Sequence, residues 1–546
     1  MVAAVALVLV GCSGNSTSQS GSLLRLAATD SGPFTEQFNP LVTSSATASG
    51  YSTLSIYEQL MVDNYTSGEP QPWLAASHSW SKDGKSLTIN IRQNEKWSDG
   101  SDLTADDVAF TFNLLAKYPA LNAQALPLVD AKSTGRDSLV VNFSAPAFQA
   151  VWWRTSIVPQ AIWSKVADPV TFTNPKPVGS GPFALESFTP QVINLTKNKY
   201  YWNADKVSVS GLRYLSYDSD SSALSALEAD QVDWISPSIS NPQTIAQQQP
   251  NKIGFWATPR STGVIFLVPN LKAAPLDDVA VRQAINVSLD RQQISDVGLN
   301  GLNAPIQSPT GLNPDNPGEA KILAPEYKST TYGHADSSRA KEILAQAGYT
   351  LGGDGFFKTP KGTPLELELQ VPTSSAGYGD MVGAGRVIVK QLAASGIKVD
   401  EKSVSPSAWR DDVDLGNFQL SLRSIGGTLS YYASFQRMLD PTKIADVGKK
   451  ALYNYERYGN PAAGTLLKQW ANAQPGSPEE LAAAGGLEKI MATDVPLIPL
   501  YLNSGIGMWR TDHFSGWPSQ SNPYATSTAA EPGLSLILAA LKPNAK

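Results

Sequence analysis

Polarity alternates with a two-residue period at Ser86–Arg92 (SLTINIR) and Leu365–Val371 (LELELQV), the pattern of strands with one buried face. Ser138–Phe143 (SLVVNF) and Gly263–Val268 (GVIFLV) are short runs rich in β-formers, and strands are predicted there too. Helical stretches lie between them. Thr104 precedes Ala105-Asp106-Asp107 and an apolar stripe running to Leu115, a capping residue followed by acids in the first turn. Asp277-Asp278 opens a helix over Val279–Leu289 in the same way, with Arg282 and Arg291 expected to cap or pair, and a helix over Ser337–Ala347 is expected to close at Gly348. Mixed short strands and helices, punctuated by 42 Gly and 38 Pro, predict an α/β or α+β class.

The chain has 546 residues, enough for several domains or one composite fold. Charged residues make up only 16% against 42% hydrophobic, so a large core can be buried. Lys and Arg total 42 and Asp and Glu 48, a net charge of −6, and no Lys/Arg run is present, which excludes a general nucleic-acid binder. Aromatic residues are plentiful, with 13 Trp, 19 Tyr and 16 Phe to supply rigid contact surfaces for a core or a ligand.

Cys12 is the single cysteine, which excludes an intramolecular disulfide, a thiolate zinc site and an iron–sulfur cluster. It follows an apolar run, Val2–Val10, too short to span a bilayer that needs about 20 residues. Leu9-Val10-Gly11-Cys12 resembles a bacterial lipobox, whose cysteine is lipidated, and the Ser/Gly-rich stretch to Ser22 reads as a flexible tether. No Lys or Arg precedes the apolar run, unlike most such signals.

Sequences that could carry chemistry fail their own requirements. Asp83-Gly84-Lys85-Ser86 lacks the upstream glycine of a phosphate-binding loop, since Ser79 stands there. Asp218 and Asp220 begin a calcium-loop pattern that breaks at Ala223 and Ala229. His78, His334 and His513 are far apart, leaving only a metal site assembled in space. The acid pairs Asp106/Asp107, Asp277/Asp278 and Asp411/Asp412 could serve a hydrolase, but two of the three open helices, where they offset the helix dipole.

Eight strings occur in the order of one known family. They are Tyr57-Glu58-Gln59-Leu60; Trp97-Ser98-Asp99-Gly100 continuing to Phe112; Val178-Gly179-Ser180-Gly181-Pro182-Phe183; Lys197-Asn198-Lys199-Tyr200-Tyr201-Trp202; Ala226 to Asp233; Pro275 to Arg291; and Ala340 to Tyr349, with Pro496-Leu497-Ile498-Pro499-Leu500-Tyr501 after them. In these the chain resembles the extracytoplasmic solute-binding proteins of ABC importers, in the oligopeptide/dipeptide/nickel-binding family, family 5. Ser180, Phe183 and Asp230 depart from that family's Thr, Tyr and Gly. The resemblance implies an α/β, two-lobed periplasmic-binding-protein fold with a hinge and an additional domain in the first lobe. By carry-over, residues 1–22 are signal peptide, lipobox and tether; 23–56, 178–268 and 497–546 form the first lobe; 57–177 form the additional domain; and 269–496 form the second lobe. It also implies a monomer, lipid-anchored outside the bacterial membrane through Cys12, working with ABC permease subunits and needing no cofactor and no catalytic residue.

Peptide-binding relatives carry an acid in the second lobe that pairs with the peptide's amino terminus. The matching stretch here, Phe418–Phe435, contains no acid. Gly426, Gly427, Tyr431 and Tyr432 stand in it, a composition suited to a neutral polyhydroxyl ligand. This region and Tyr453–Pro461 resemble the family's cello-oligosaccharide-binding branch, so an oligosaccharide of β-glucan type is the expected solute and an oligopeptide the alternative. Tyr501, Trp234, Trp256 and Trp409 complete the candidate ligand residues. Nickel or haem is disfavoured by the scattered histidines. A secreted glycan hydrolase and a surface adhesin are the rivals from other classes.

Overall fold

The computed structural model describes residues 23–29, 32–42, 48–239, 241–259, 263–329, 334–373, 379–426, 429–529 and 533–545. Cys12, the lipobox and Gly427 lie outside the described residues.

Two sheets organise the chain. The first has seven strands in the order 253–258, 505–510, 234–235, 23–28, 211–216, 192–197 and 183–189. Strand 23–28 lies parallel to 211–216 and 234–235, and the other neighbours are antiparallel. The second has five strands in the order 398–404, 366–372, 420–425, 264–269 and 498–502. Strands 366–372 and 420–425 are buried along most of their length beneath flanking helices, as expected where a sheet is covered on both faces. Two of these strands correct the sequence assignment. By carry-over residues 264–268 and 498–502 fall in the first lobe, yet both strands hydrogen-bond in the five-stranded sheet. The run Val264–Pro269 is buried at every position, so it needs a neighbour on each side, and 420–425 and 498–502 supply them.

The chain therefore passes between the sheets twice, after 258 and again between 502 and 505. The passages lie side by side, since Asn503 N donates to Gly263 O at 2.9 Å. Separate apolar cores sit in the two lobes, with a further one beneath a four-stranded antiparallel sheet ordered 75–80, 86–91, 138–143, 128–133. Strands 86–91 and 138–143 alternate buried and more exposed positions, as their sequences require. Helix Ala105–Lys117 covers this sheet; Asp107 Oδ2 accepts from Thr104 N at 3.0 Å and closes its first turn.

The helix expected to run to Leu289 ends at Val287, and Asp290 caps a new one at Arg291 through Gln293 N. Arg282 donates to Leu276 O and Asp494 O, and Arg291 to Pro499 O at 2.7 Å, which fastens the helix segment to strand 498–502. The Val178–Phe183 string is explained by contact: a Cβ on Gly179 would lie 1.9 Å from Ile56 O, and one on Gly181 2.5 Å from Ser55 O. Asn198 Nδ2 donates to Gly181 O at 2.8 Å and Trp202 Nε1 to Glu58 Oε1 at 2.7 Å, so three of the family-like strings meet in one junction. Among the described residues no helix is long and apolar enough to cross a membrane.

Candidate functional site

A cleft of about 1060 Å³ opens between the lobes. Phe255, Trp256 and Ala257, on the edge strand of the first sheet, form one wall with Ser519–Ser521. Asn300–Leu302 and Asn313–Asn316 of the second lobe form the other, with Tyr65 and Thr66 beside them.

Local chemistry sets the shape of these walls. Asn300 and Gly301 both take positive φ, +54° and +70°, giving a sharp turn that only such residues adopt readily. Asn313 Oδ1 accepts from Asp315 N at 3.0 Å in an Asx turn. Asn316 Oδ1 caps helix Pro317–Ile322 by accepting from Gly318 N, while its Nδ2 donates to Tyr65 O at 3.0 Å. The lining combines amides, hydroxyls and aromatic rings with Leu302, Ala304 and Pro523, and Asp315 is its one charged side chain among the described residues.

A smaller cavity of about 220 Å³ lies where the four-stranded domain meets the second lobe. His78, Trp80, Phe148 and Trp152 face Tyr431, Tyr432 and Trp470. His78 packs edge-on to Trp152 with centroids 4.9 Å apart, and burial pushes its pKa down, which keeps it neutral. Glu480 Oε1 accepts from Trp470 Nε1 at 2.9 Å and from Gln149 Nε2 at 3.1 Å, so this buried acid is already committed.

The candidates from sequence are thus divided. Trp256 lines the large cleft, half-buried. Tyr431 and Tyr432 line the small cavity from the first turn of helix Tyr431–Leu439, which Ser430 caps, and not from a strand whose alternation would send one of them into the core. Gly426 takes φ +105° just after strand 420–425.

Three aromatic candidates belong to the core instead. Trp234 is fully buried in a short central strand and donates to Ser527 O at 2.9 Å. Tyr501 is fully buried, with its hydroxyl 3.3 Å from Asp380 Oδ2 on the helix that covers its sheet. Trp409 is buried and donates to Ser421 Oγ at 2.8 Å. In each case the indole or phenol finds its hydrogen-bond partner inside the fold, which is what permits the ring to be buried.

The large-cleft residues missed from sequence are Tyr65, Phe255 and the amides of 300–316. The Asn-Pro-Asp-Asn-Pro run at 313–317 carried a readable turn and helix-start signal. Nothing local placed it opposite Trp256.

Metal-binding geometry was also sought. Asp230, Asp233 and His513 converge, but Arg25 donates to both acids, at 2.8 Å to Asp230 and 2.7 Å to Asp233, so both carboxylates are already engaged by a protein cation. His78, His334 and His513 lie in three different parts of the fold and assemble no three-histidine site. His334 pairs with Asp290 and His513 with Asp233. The acid pairs hold structural roles, with Asp107 and Asp278 at helix starts and Asp412 accepting from Gln370 Nε2.

Comparison with known proteins bears directly on this two-lobed arrangement. Residues 69–446 match the family described as bacterial extracellular solute-binding proteins, family 5. The oligopeptide-binding protein OppA of Bacillus subtilis is 28% identical over 80% of this chain and 80% of its own length. An oligopeptide ABC transporter periplasmic oligopeptide-binding protein from Thermotoga maritima superposes with a TM-score of 0.83 at 23% identity, covering 96% of this chain and all of that one. The same Thermotoga protein, solved as a mannohexaose-bound structure, gives 0.74 at 23% identity over 97% of this chain and all of that one.

Proposed function

The chain belongs to the family 5 bacterial extracellular solute-binding proteins of ABC importers, and on that premise we propose that it captures an oligosaccharide of β-glucan type between its lobes and delivers it to an ABC permease. The observation that carries the sugar reading is the lining of the large cleft. Asn, Gln, Ser and Thr side chains stand beside Tyr65, Phe255 and Trp256, with Asp315 as the sole charge among the described residues. Such a wall offers donors and acceptors to hydroxyl groups and apolar faces to sugar rings, and leaves no buried charge needing a counter-ion. At about 1060 Å³ the space lies at the top of the usual small-molecule range of about 300–1,000 Å³, which suits an oligomer better than a single ring. The mannohexaose-bound fold neighbour is consistent with this choice. Anchoring through a lipid on Cys12, action as a monomer and absence of catalysis complete the proposal.

Asp315 favours a second reading. Exposed on the cleft wall, it is able to pair with a peptide's ammonium group, and a relative such as OppA is named for oligopeptides.

Thermal unfolding with cello-, manno- and xylo-oligosaccharides beside di- to pentapeptides separates the two. A ligand at 100 times its dissociation constant adds about 2.7 kcal/mol. Stabilisation by sugars alone supports the proposal, and stabilisation by peptides alone, lost in Asp315→Asn, replaces it. A hydrolase would instead release product from the bound sugar.

A further inference from the structure

A close contact between the lobes lies beside both cavities, with Tyr65 and Asn316 in the wall of the large one and Tyr431 in the wall of the small one. The turn at Asn64–Glu69 meets the first turn of helix Pro317–Ile322. A Cβ on Gly68 would lie 2.0 Å from Asn316 Oδ1, and one on Gly318 would lie 2.3 Å from Gly68 O and 2.5 Å from the Tyr431 hydroxyl. Three cross-lobe bonds accompany this approach. Asn316 Nδ2 donates to Tyr65 O at 3.0 Å, the Tyr431 hydroxyl donates to Gly68 O at 2.8 Å, and Lys321 pairs with Glu69.

Each half is organised on its own lobe before they meet. Asn64 Oδ1 accepts from Thr66 N and Ser67 N, and its Nδ2 donates to Tyr524 O of the first lobe at 3.0 Å. Asn316 Oδ1 caps the second-lobe helix, which orients the side chain so that Nδ2 points to Tyr65 O. Contacts between preorganised surfaces lose little conformational entropy when they form.

We infer that this glycine-to-glycine contact is a latch that sets the population of the closed arrangement, and that Tyr431 serves it through its hydroxyl and is no stacking platform for solute. The inference deepens the solute-capture reading by naming what holds the lobes together. Because the latch is made by protein groups on both sides, it is testable without knowing the solute.

Small-angle X-ray scattering of the full chain without solute is the test, on wild type, Gly318→Val and Tyr431→Phe. The valine drives its side chain into Gly68 O, and the phenylalanine keeps the ring while deleting the donor. The latch predicts a larger radius of gyration for both variants, with Gly318→Val the larger. It also predicts about fivefold weaker binding by Tyr431→Phe of whichever probe, cellopentaose or pentaglycine, stabilises the wild type. Unchanged scattering in both variants overturns the latch. Should Gly318→Val lose its far-UV circular dichroism signal, Tyr431→Phe decides alone. If neither probe stabilises wild type, the solute reading fails while the scattering comparison still judges the latch.

Discussion

Two carboxyl groups are buried together where the four-stranded domain joins the first lobe, and they give the protein a pH response of unusual sign. Glu58 and Glu95 are 3% and 2% exposed. Burial, reinforced by the nearby Glu95, pushes Glu58 up to about 8, and burial pushes Glu95 up to about 7 despite the guanidinium of Arg92, which lies over the Trp202 ring at 3.8 Å. For acids raised in the folded state, the folded chain holds protons that the unfolded chain has released. Their stabilising contribution is complete below the unfolded value of 4.5 and is lost as pH rises through about 7 and 8. At about 1.4 kcal/mol per unit, the Glu58 shift alone corresponds to about 5 kcal/mol. Part of that repulsion is shared with Glu95, so about 2–3 kcal/mol of pH-dependent stability is expected from removing Glu58 titration.

The perturbation is Glu58→Gln, which keeps an oxygen to accept from Trp202 Nε1. Urea midpoints for wild type and variant are measured at intervals from pH 5 to pH 9. Wild type loses stability between about pH 5 and pH 8 and the variant loses less, so that the gap between them narrows or reverses over that interval and is constant above it. His78, whose pKa burial lowers, acts in the opposite sense but is common to both proteins and cancels in the difference. Parallel curves for the two proteins would refute the reasoning.

Gly179→Ala places a methyl against Ile56 O and is expected to cost at least about 3 kcal/mol, read as a lowered urea midpoint with no loss specific to solute. Asp107→Ala removes acceptors for Thr104 N and Gln160 N at a helix start and is expected to cost about 2 kcal/mol by the same measurement. Trp256→Ala is expected to leave the fold intact and weaken binding of the stabilising oligosaccharide about tenfold by calorimetry, whereas the same change at the buried Trp234 lowers stability by about 3–5 kcal/mol.

What the chain disclosed in advance follows from where each signal is stored. Strand 86–91 and helix 105–117 are written in consecutive residues, as period-two alternation and as a cap with acids behind it, and both form within a residue or two of expectation. The family-like strings are legible for a related reason: Gly179, Asn198, Trp202 and Glu58 solve one packing junction, and a junction that admits few residue types leaves a recognisable spelling.

Binding walls carry no such spelling. Of Trp234, Trp256 and Trp409 only Trp256 meets the cleft, because it lies on the edge strand of its sheet, while Trp234 lies in a central strand and Trp409 is on the buried side of helix Pro406–Leu415, donating to Ser421. That difference is a property of strand order, which depends on residues hundreds of positions away. The surroundings of Tyr431 are hidden for the same reason. Its neighbours Ser430 and Ala433 disclose a capped helix, but its partner Gly68 stands 363 positions earlier on the opposite lobe. A side chain whose function is to touch another lobe can be assigned from the sequence to a helix or a strand, but its partner becomes visible only when the lobes are brought together.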